Sequence, residues 1–328
     1  MSLFSGAGGL DLGMDSSGFM EAKCCVELEP AYLNTLAANK GKSYWGRKFL
    51  QNADLLNVDV LSDEFHSHIS QLNFGEGLWA FVGGPPCQSF SSLGKMGILN
   101  DPRGNLSIKY VEYVCKYRPR FFVFENVPPV GQNPGKEMRS TIYDMLEKSG
   151  YHFCSNVVNM ADYGCYTKRK RYIIIGDRDK EIAFPEGPYK NGGGLFHKKW
   201  KSSREALDGI PDPYLPNSLS NHDPVHHTDE VRQRFESLQP GEYDRKRHRS
   251  KLDPNLPGPT LVAGGNSGYV HHIHWDGREL TSRESASIHG FPLDYEFRGS
   301  KLDVAKQIVN SIPIEFGRFL AGFLSSQV

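Results

Sequence analysis

The stretch that decides the fold is Phe4-Ser5-Gly6-Ala7-Gly8-Gly9-Leu10-Asp11-Leu12-Gly13, which directly follows a possible first strand. A glycine-dense turn from a strand into a helix lets a ligand approach the backbone closely and meet the helix N-terminus. The stretch is not G-x-G-x-x-G, and it lacks the Lys-Ser/Thr ending of a phosphate loop. It predicts a strand, a turn and a helix, with either a ligand site at the turn or only close packing there.

Short apolar runs alternate with longer amphipathic ones from residue 3 to about residue 184, which is typical of strand and helix units in a parallel sheet. We expect strands at residues 22–27, 78–82, 121–125, 152–158 and 171–177, and helices at residues 30–39, 107–117 and 135–149. From residue 185 to about 277 the chain has little periodicity, and helical patterns return at residues 281–289 and 312–324. These patterns predict an α/β fold with a smaller, loop-rich second domain.

Composition limits the possible classes of protein. A chain of 328 residues can hold one or two domains, and its 38 basic residues balance its 38 acidic ones. A neutral total neither supports nor excludes nucleic-acid binding. The six cysteines form no C-x-x-C pair, and the sequence contains no signal peptide or long apolar span. We expect a reducing, cytosolic setting without a membrane, and we predict no metal site, because the histidines of residues 222–274 lack an accompanying cysteine pair.

One cysteine stands at a corner of the chain, in Gly83-Gly84-Pro85-Pro86-Cys87-Gln88-Ser89-Phe90-Ser91. Pro85 and Pro86 lack backbone donors and have a fixed φ, so the chain there continues neither as a regular strand nor into a helix interior. The corner is expected to hold the Cys87 sulfur at an edge of the sheet, as a nucleophile requires. The alternative is a buried structural cysteine, since free cysteine is among the most buried residue types.

Charged residues accompany several of the predicted strands. Glu27 and Asp54 fall near the ends of the next probable strands, where the carboxyl ends of a doubly wound sheet line the ligand crevice. Glu125 ends a buried strand, a setting that suits a carboxyl group to donate a proton or a hydrogen bond. In the basic run before the last predicted strand, alternation places Arg169 and Arg171 on one face. Each residue also has a purely structural interpretation, as a solvated or ion-paired side chain.

In order and spacing, six features of the chain resemble the motifs of the DNA (cytosine-5) methyltransferase family. They are the glycine-dense stretch, the Pro-Pro-Cys-Gln corner, Glu125-Asn126-Val127, Arg169 with Arg171, the segment from Arg278 to Pro292, and Asn310-Ser311-Ile312-Pro313. Each motif alone is weak, but six in sequence order are highly specific, and together they span nearly the whole chain. The compact length is similar to that of a bacterial restriction-modification enzyme.

The resemblance implies a Rossmann-like sheet of the S-adenosylmethionine-dependent methyltransferases in residues 1–184 and 300–328, and a target-recognition domain in residues 185–299. It implies a DNA (cytosine-5-)-methyltransferase that takes a methyl group from S-adenosylmethionine and releases S-adenosylhomocysteine. Double-stranded DNA is the implied partner, with a cognate restriction endonuclease acting independently. A monomeric enzyme in the bacterial cytoplasm, associated with the nucleoid, is expected.

The family's catalytic roles carry over to four residues. By resemblance, Cys87 is the thiolate that adds to C6 of cytosine and makes C5 nucleophilic. Glu125 would protonate or hydrogen-bond N3, and Arg169, on the same face as Arg171, would hold O2. The base that removes the C5 proton has no assigned residue, and a water is one candidate.

The resemblance also places a cofactor pocket around the glycine-dense stretch. The implied residues are Phe4, Gly6, Gly8 and Leu10 at the methionine and ribose end, Glu27 at the ribose hydroxyls, Asp54 at the adenine, and Pro86 and Asn310 on the remaining sides. Two positions depart from the family pattern. Thr167 stands where glutamine is usual, and Val309 stands where glycine is usual. Both departures favour weaker cofactor binding or a lower rate in an enzyme that is still active.

Cytosine C5 and C6 cannot be reached inside a duplex, so the target base must flip out, at a cost of roughly a few kcal/mol. Residues 91–107 follow the nucleophile and contain glycine hinges, which predicts a loop that closes over the base. Ser91, Gly94 and Arg103 are the DNA contacts expected from this loop. The alternative is a mobile surface loop without a role.

The predicted recognition domain supplies further candidate DNA contacts. Thr260 lies in a Thr-Leu pair similar to the family's and would touch the backbone near the flipped nucleotide. Asn266 lies in a glycine-rich loop and is expected to read a base edge. Basic runs at residues 198–201, and at residues 245–249 with Lys251, are candidates for phosphate contacts or simply a solvated face.

Three other functions stay open from the sequence. A tRNA cytosine-5 methyltransferase shares the chemistry, although a recognition region of about ninety residues favours DNA. A catalytically silent, cofactor-dependent DNA-binding protein is suggested by Thr167 and Val309. A dinucleotide oxidoreductase is disfavoured by the Pro-Pro-Cys corner and by the spacing of the glycines.

Overall fold

The computed structural model describes residues 1–72, 79–86, 105–263, 270 and 272–328. The helices are α1 Gly9–Ser16, α2 Pro30–Asn39, α3 Asp63–Gln71, α4 Asn105–Tyr117, α5 Lys136–Lys148, α6 Ser203–Leu207, α7 Asp229–Ser237, α8 Ser282–Ile288, α9 Lys301–Asn310 and α10 Ile314–Ser325. The strands are β1 Ser2–Leu3, β2 Cys24–Val26, β3 Ser43–Tyr44, β4 Arg47–Lys48, β5 Asp54–Leu56, β6 Ala80–Gly83, β7 Phe121–Asn126, β8 His152–Asn159, β9 Lys170–Asp177, β10 Tyr189–Lys190, β11 Lys198–Lys199, β12 Tyr243–Asp244, β13 Arg249–Lys251 and β14 His272–Ile273.

The central sheet has seven strands within the described residues, in the order β5-β2-β1-β6-β7-β9-β8. Neighbouring strands from β5 to β7 pair in parallel, whereas β9 is antiparallel to both β7 and β8. The carboxyl ends of the six co-directional strands therefore meet the amino end of β9 at one edge of the sheet. We call this edge the carboxyl edge, and in open α/β sheets it is where ligands bind.

Both faces of the sheet are covered by helices. Alternate side chains of a strand point to opposite faces, so Phe122 and Phe124 pack with the buried residues of α3, α4 and α5. Phe121 and Val123 pack with α1 and α10 on the other face. This double covering explains why β7 is apolar at every position before Glu125.

Most of the predicted elements are confirmed, with ends that agree within two residues, and helix α2 has the predicted bounds. The glycine-dense stretch forms the predicted strand, turn and helix, as β1 followed by α1. Helices α3 and α9 were missed. Only Phe65 and Ile69 of α3 are buried, which leaves too narrow an apolar stripe for periodicity to reveal. The described part of residues 185–277 forms the short elements α6, α7 and β10–β14.

The predicted domain division stays a prediction. Leu207 and Leu252, from the loop-rich region, share one apolar cluster with Ile288 of α8 and Leu36 of α2. The two parts of the chain therefore pack through a common core instead of being joined by a bare linker.

Helices α1 and α10 approach each other so closely that their backbones touch. A Cβ atom added at Gly13 would lie 2.3 Å from the carbonyl oxygen of Ile314. One added at Gly317 would lie 2.8 Å from the carbonyl oxygen of Leu10. Glycine at both positions thus lets α10 hold the first turn of α1 against the sheet, directly beneath the glycine-dense turn.

We predict that Gly13→Ala lowers the free energy of unfolding by roughly 1–3 kcal/mol, because the backbone contact leaves no room for a methyl group. Urea denaturation measures the change. The matched control is Gly322→Ala in α10, where the nearest atom to the added Cβ lies 3.8 Å away. That substitution should be neutral or stabilising by up to about 1 kcal/mol. Equal losses in the two variants would contradict the packing argument.

Candidate active site

The glycine-dense turn lies at the carboxyl edge, between β1 and α1. Phe4, Gly6 and Gly8 all have positive φ, at 58°, 57° and 76°. Gly8 is the N-cap of α1, and a Cβ there would lie 2.6 Å from Leu36 Cδ2. At Gly6, by contrast, no described atom lies within 4 Å of an added Cβ. The backbone at Gly6 therefore borders open space at the N-terminal end of α1, as a ligand turn requires.

Glu27 lies beside this turn. It follows β2, and its carboxylate accepts hydrogen bonds from the backbone N–H groups of Gly6, at 2.7 Å, and Glu29, at 2.9 Å. Burial raises the pKa of Glu27, while these hydrogen bonds oppose the shift. The structure therefore brings together two of the residues that the sequence assigned to one pocket.

The prediction that Asp54 lies at a carboxyl end is wrong. Asp54 is the first residue of β5 and pairs with Cys24, the first residue of β2. Because β2 and β5 are parallel, Asp54 lies at the opposite edge from Glu27, where it faces His68 at 3.6 Å. The acidic residue that follows the carboxyl end of β5 is the exposed Asp59, whose Oδ1 accepts a hydrogen bond from Leu61 N at 2.9 Å.

A carboxylate and a guanidinium group form the centre of the site. Arg171 Nε donates to Glu125 Oε1 at 2.8 Å, and both side chains are largely buried, with 14% and 13% of their surface exposed. The chain approaches this pair closely at Gly84, where an added Cβ would lie 2.6 Å from Glu125 Oε2. Partial burial strengthens such a pair relative to one on the surface.

The Pro-Pro corner is tied to the same strand end. Asn126 Nδ2 donates to the carbonyl oxygen of Pro85 at 3.2 Å and to Ser107 Oγ at 3.2 Å. Pro86 follows at the surface. Cys87, the next residue, lies outside the described residues, as do Ser91, Gly94, Arg103 and Asn266.

Arg169 has a different environment from Arg171. Alternation is confirmed, since Lys168 and Lys170 are exposed while the two arginines point inward. Arg169 is only 1% exposed, and its Nη2 reaches the carbonyl oxygen of Asn310, the last residue of α9, at 3.4 Å. Burial and the neighbouring Arg171 hold its pKa well below the usual range. Of the two arginines, Arg171 is therefore the one paired with Glu125.

His289 is a neighbour of this cluster that sequence reasoning missed. It is fully buried at the end of α8, and its Nδ1 hydrogen-bonds to Ser311 Oγ at 2.9 Å. Within the described residues its Nε2 has no hydrogen-bond partner. Burial, with the positive charges of Arg169 and Arg171, holds the pKa of His289 well below its usual value. A histidine amid helix-forming residues gives no signal of such burial, so only the structure reveals it.

The loop-rich region is joined to the arginine-bearing segment by backbone pairing. Lys168 N donates to Gly258 O at 2.7 Å, and Gly258 N donates to Tyr166 O at 2.8 Å. The buried Thr167 hydroxyl donates to Pro259 O at 3.1 Å, and the Thr260 hydroxyl reaches Lys168 O at 3.3 Å. Thr167 therefore helps to hold residues 166–168 against residues 258–260, and Thr260 lies beside Lys168, the residue before Arg169.

Part of the second basic run is structural. Lys251 is buried and donates to the carbonyl oxygens of Phe235, Glu236 and Leu238, at the end of α7. Arg249 is buried against Glu279. The prediction that these two side chains belong to a phosphate-binding face is wrong, whereas residues 245–248 are exposed at the tip of the β12–β13 hairpin.

Two further observations concern the described ranges alone. No group of three or more His, Cys, Asp or Glu side chains in them is arranged to hold a metal ion. None of their helices has the length and apolar character that a membrane span requires.

Together, the sheet order, the glycine turn beside Glu27 and the Glu125–Arg171 pair give an α/β fold with a candidate active site at the carboxyl edge. The family model of C-5 cytosine-specific DNA methylase matches residues 1–325. The chain belongs to this family, and it is a methyltransferase that acts on C5 of cytosine.

Individual relatives agree with this assignment. The chain is 32% identical to Type II methyltransferase M1.HphI of Haemophilus parahaemolyticus, over 95% of this chain and 82% of the relative. It is 29% identical to Type II methyltransferase M.NgoFVII of Neisseria gonorrhoeae, with the same coverage. A putative DNA modification methyltransferase encoded within an E. coli prophage superposes with a TM-score of 0.77 at 25% identity, over 99% of this chain and 97% of that one. The S. pombe Dnmt2 methyltransferase shares the fold, with a TM-score of 0.67 at 15% identity, over 99% and 98%.

We predict that His289 makes stability fall as the pH drops below its usual pKa of 6.5. The unfolded chain then binds a proton that the folded chain excludes, so stability is lost at up to about 1.4 kcal/mol per pH unit. Urea denaturation between neutral and mildly acidic pH measures the slope. His289→Gln should flatten it, and an unchanged slope in that variant would show that His289 does not titrate in this way.

Proposed function

We propose that this protein transfers a methyl group from S-adenosylmethionine to C5 of a flipped-out cytosine in a specific duplex DNA sequence, through a covalent adduct between Cys87 and C6. The observation that carries the proposal is the Glu125–Arg171 ion pair at the carboxyl edge, beside the Pro-Pro corner that immediately precedes Cys87. A carboxyl group and a fixed cation thus lie beside the corner that leads the chain to Cys87.

The chain's residues divide the chemistry between them. The Cys87 thiolate adds to C6, which moves an electron pair toward N3. In this step Glu125 acts in its protonated, carboxylic acid form and donates its proton or a hydrogen bond to N3. Arg171 stabilises the negative charge that develops toward O2, and it also holds Glu125 in place. After C5 has taken the methyl group, a base removes the C5 proton and the thiol leaves from C6.

We therefore propose that Arg171, rather than Arg169, lies at O2 of the base. Arg169 has its guanidinium group buried against the carbonyl of Asn310. From there it supports the positive potential of the site and fixes the end of α9. We therefore assign Arg169 the role of holding the end of α9 and adding positive charge to the site, without direct contact with the base.

The residues at the glycine turn fit S-adenosylmethionine, which supplies an electrophilic methyl group when bound. Gly6 exposes backbone beside open space, and the Glu27 carboxylate lies at the same turn, where it can accept from ribose hydroxyls. Asp59 replaces Asp54 as the acceptor for the adenine, because it follows the strand next to Glu27. Phe4, Gly8, Leu10, Pro86 and Asn310 keep their proposed places in the pocket.

We infer from the relatives' names that the enzyme is the modification half of a restriction-modification system, acting as a monomer in the cytoplasm at the nucleoid. An endonuclease of the same specificity would act independently. Bisulfite sequencing of plasmid DNA that has been incubated with the protein and S-adenosylmethionine identifies the target site, and a plasmid without methylated cytosine after this treatment would contradict the proposal.

We predict that wild-type protein forms a stable adduct with duplex DNA that contains 5-fluorocytosine at the target, because fluorine blocks the final elimination. Cys87→Ser should form none. Glu125→Gln should slow adduct formation by about 100-fold or more, the usual contribution of one general acid. Denaturing gel electrophoresis of labelled DNA measures the adduct.

The adduct experiment has two controls. Binding of S-adenosylhomocysteine by both variants should match the wild type, which shows that they fold. A parallel reaction with tRNA separates the RNA-methylating alternative, since methyl incorporation into tRNA alone would overturn the DNA assignment.

We predict that Asp59→Ala weakens S-adenosylmethionine binding by about tenfold or more, the loss expected for one hydrogen bond to a charged acceptor. Asp54→Ala is the matched control, five residues earlier at the opposite edge of the sheet, and it should bind normally. Isothermal titration calorimetry measures both affinities. Weaker binding in Asp54→Ala and normal binding in Asp59→Ala would contradict the proposal and place Asp54 in the cofactor pocket.

A further inference from the structure

The most exposed large apolar side chains in the described residues are adjacent, in a loop between β10 and β11. Leu195 is 91% exposed and Phe196 is 86% exposed. They lie in residues 191–197, which we call the apolar loop, and they follow Gly192, Gly193 and Gly194. Two neighbouring large apolar side chains held almost wholly in water mark an interaction site rather than ordinary surface.

Basic side chains border the apolar loop. Lys198 and Lys199 form β11 directly after it, and both are exposed. On the other side, Lys190 forms an ion pair with Glu186 at 3.2 Å, on the exposed surface. An apolar tip between lysines suits a partner that combines stacked apolar surface with negative charge, and duplex DNA combines stacked bases with phosphates.

The apolar loop is anchored at the carboxyl edge. Asn159, the end of β8, pairs with Lys170 at the start of β9, so the chain between them lies at that edge. The segment that carries the loop packs on this connection: Trp200 Nε1 donates to Asp162 Oδ1 at 2.8 Å, and a Cβ at Gly187 would lie 2.2 Å from Asp162 O. The segment that carries the loop is thus anchored at the same edge of the sheet as Glu125 and Arg171.

We propose that the apolar loop binds the DNA substrate, with Lys198 and Lys199 on phosphates and Leu195 and Phe196 inserted against the base stack. Apolar side chains wedged between base steps unstack them, and a base with a weakened stack flips at lower cost. The loop would therefore help to open the duplex beside the target. This inference rests on the proposed function, since it needs duplex DNA as the substrate.

The test compares Leu195→Ser/Phe196→Ser with wild-type protein and with Phe19→Ser. Phe19 is 63% exposed, but it lies between the end of α1 and the start of β2, at the opposite edge of the sheet. The probe is a duplex carrying the site mapped for the wild type, with 2-aminopurine at the target position. We expect the double variant to bind this duplex about tenfold or more weakly, with reduced 2-aminopurine fluorescence.

A second duplex distinguishes a wedge from a simple contact. If the target base is mismatched, much of its unstacking cost is already met, so the deficit of the double variant should shrink. Lys198→Gln/Lys199→Gln should weaken binding at every sequence and lower the salt dependence of the affinity by about one to two phosphate contacts. S-adenosylmethionine binding should not change in any of these variants.

Unchanged DNA affinity and fluorescence in the double variant would overturn the proposal and assign the loop to another partner, such as a protein. That outcome is distinct from failure of the proposed function, in which wild-type protein itself would neither methylate the duplex nor form the 5-fluorocytosine adduct. A deficit of equal size in Phe19→Ser would also count against the loop.

Discussion

The reversal of β9 is the constraint on which the site depends. In a fully parallel sheet, the amino end of a strand lies far from the carboxyl ends of its neighbours. Because β9 runs against β7 and β8, its amino end reaches the carboxyl edge, and Arg169 and Arg171 arrive beside Glu125. One antiparallel strand thus supplies cations to an edge that already carries the carboxylate, the Pro-Pro corner and the glycine turn.

The electrostatics of the site follow from this arrangement. Arg171 is paired with Glu125, whereas the neighbouring Arg169 is almost fully buried against the carbonyl oxygen of Asn310. Burying a charge is costly unless it is compensated. Burial and the positive charges of Arg169 and Arg171 lower the pKa of His289, which favours its neutral form. A protonated histidine in that position would add a third positive charge to a region with one negative partner. The cluster therefore concentrates positive potential at the carboxyl edge, around Glu125.

Much of the fold and the site was predictable from local patterns, because strands buried on both faces and capped amphipathic helices leave strong signals. The positions of Glu27, Glu125, Arg169 and Arg171 followed from strand ends and alternation. The error at Asp54 arose because β5 is only three residues long, which is too short for periodicity to show that Asp54 begins the strand and Asp59 follows it. The roles of Lys251 and His289 depend on tertiary burial, which residue types alone do not reveal.

The pairing of residues 166–168 with residues 258–260 limits how the loop-rich region can change without moving the arginines. A change in the loop-rich region leaves Arg169 in place only where the Gly258–Thr260 backbone is kept in register, since that short ladder ends one residue before Arg169. The pairing of these two segments thus fixes where the loop-rich region meets the strand that carries the arginines. Changes of sequence and length beyond the ladder therefore need not move Arg171 relative to Glu125.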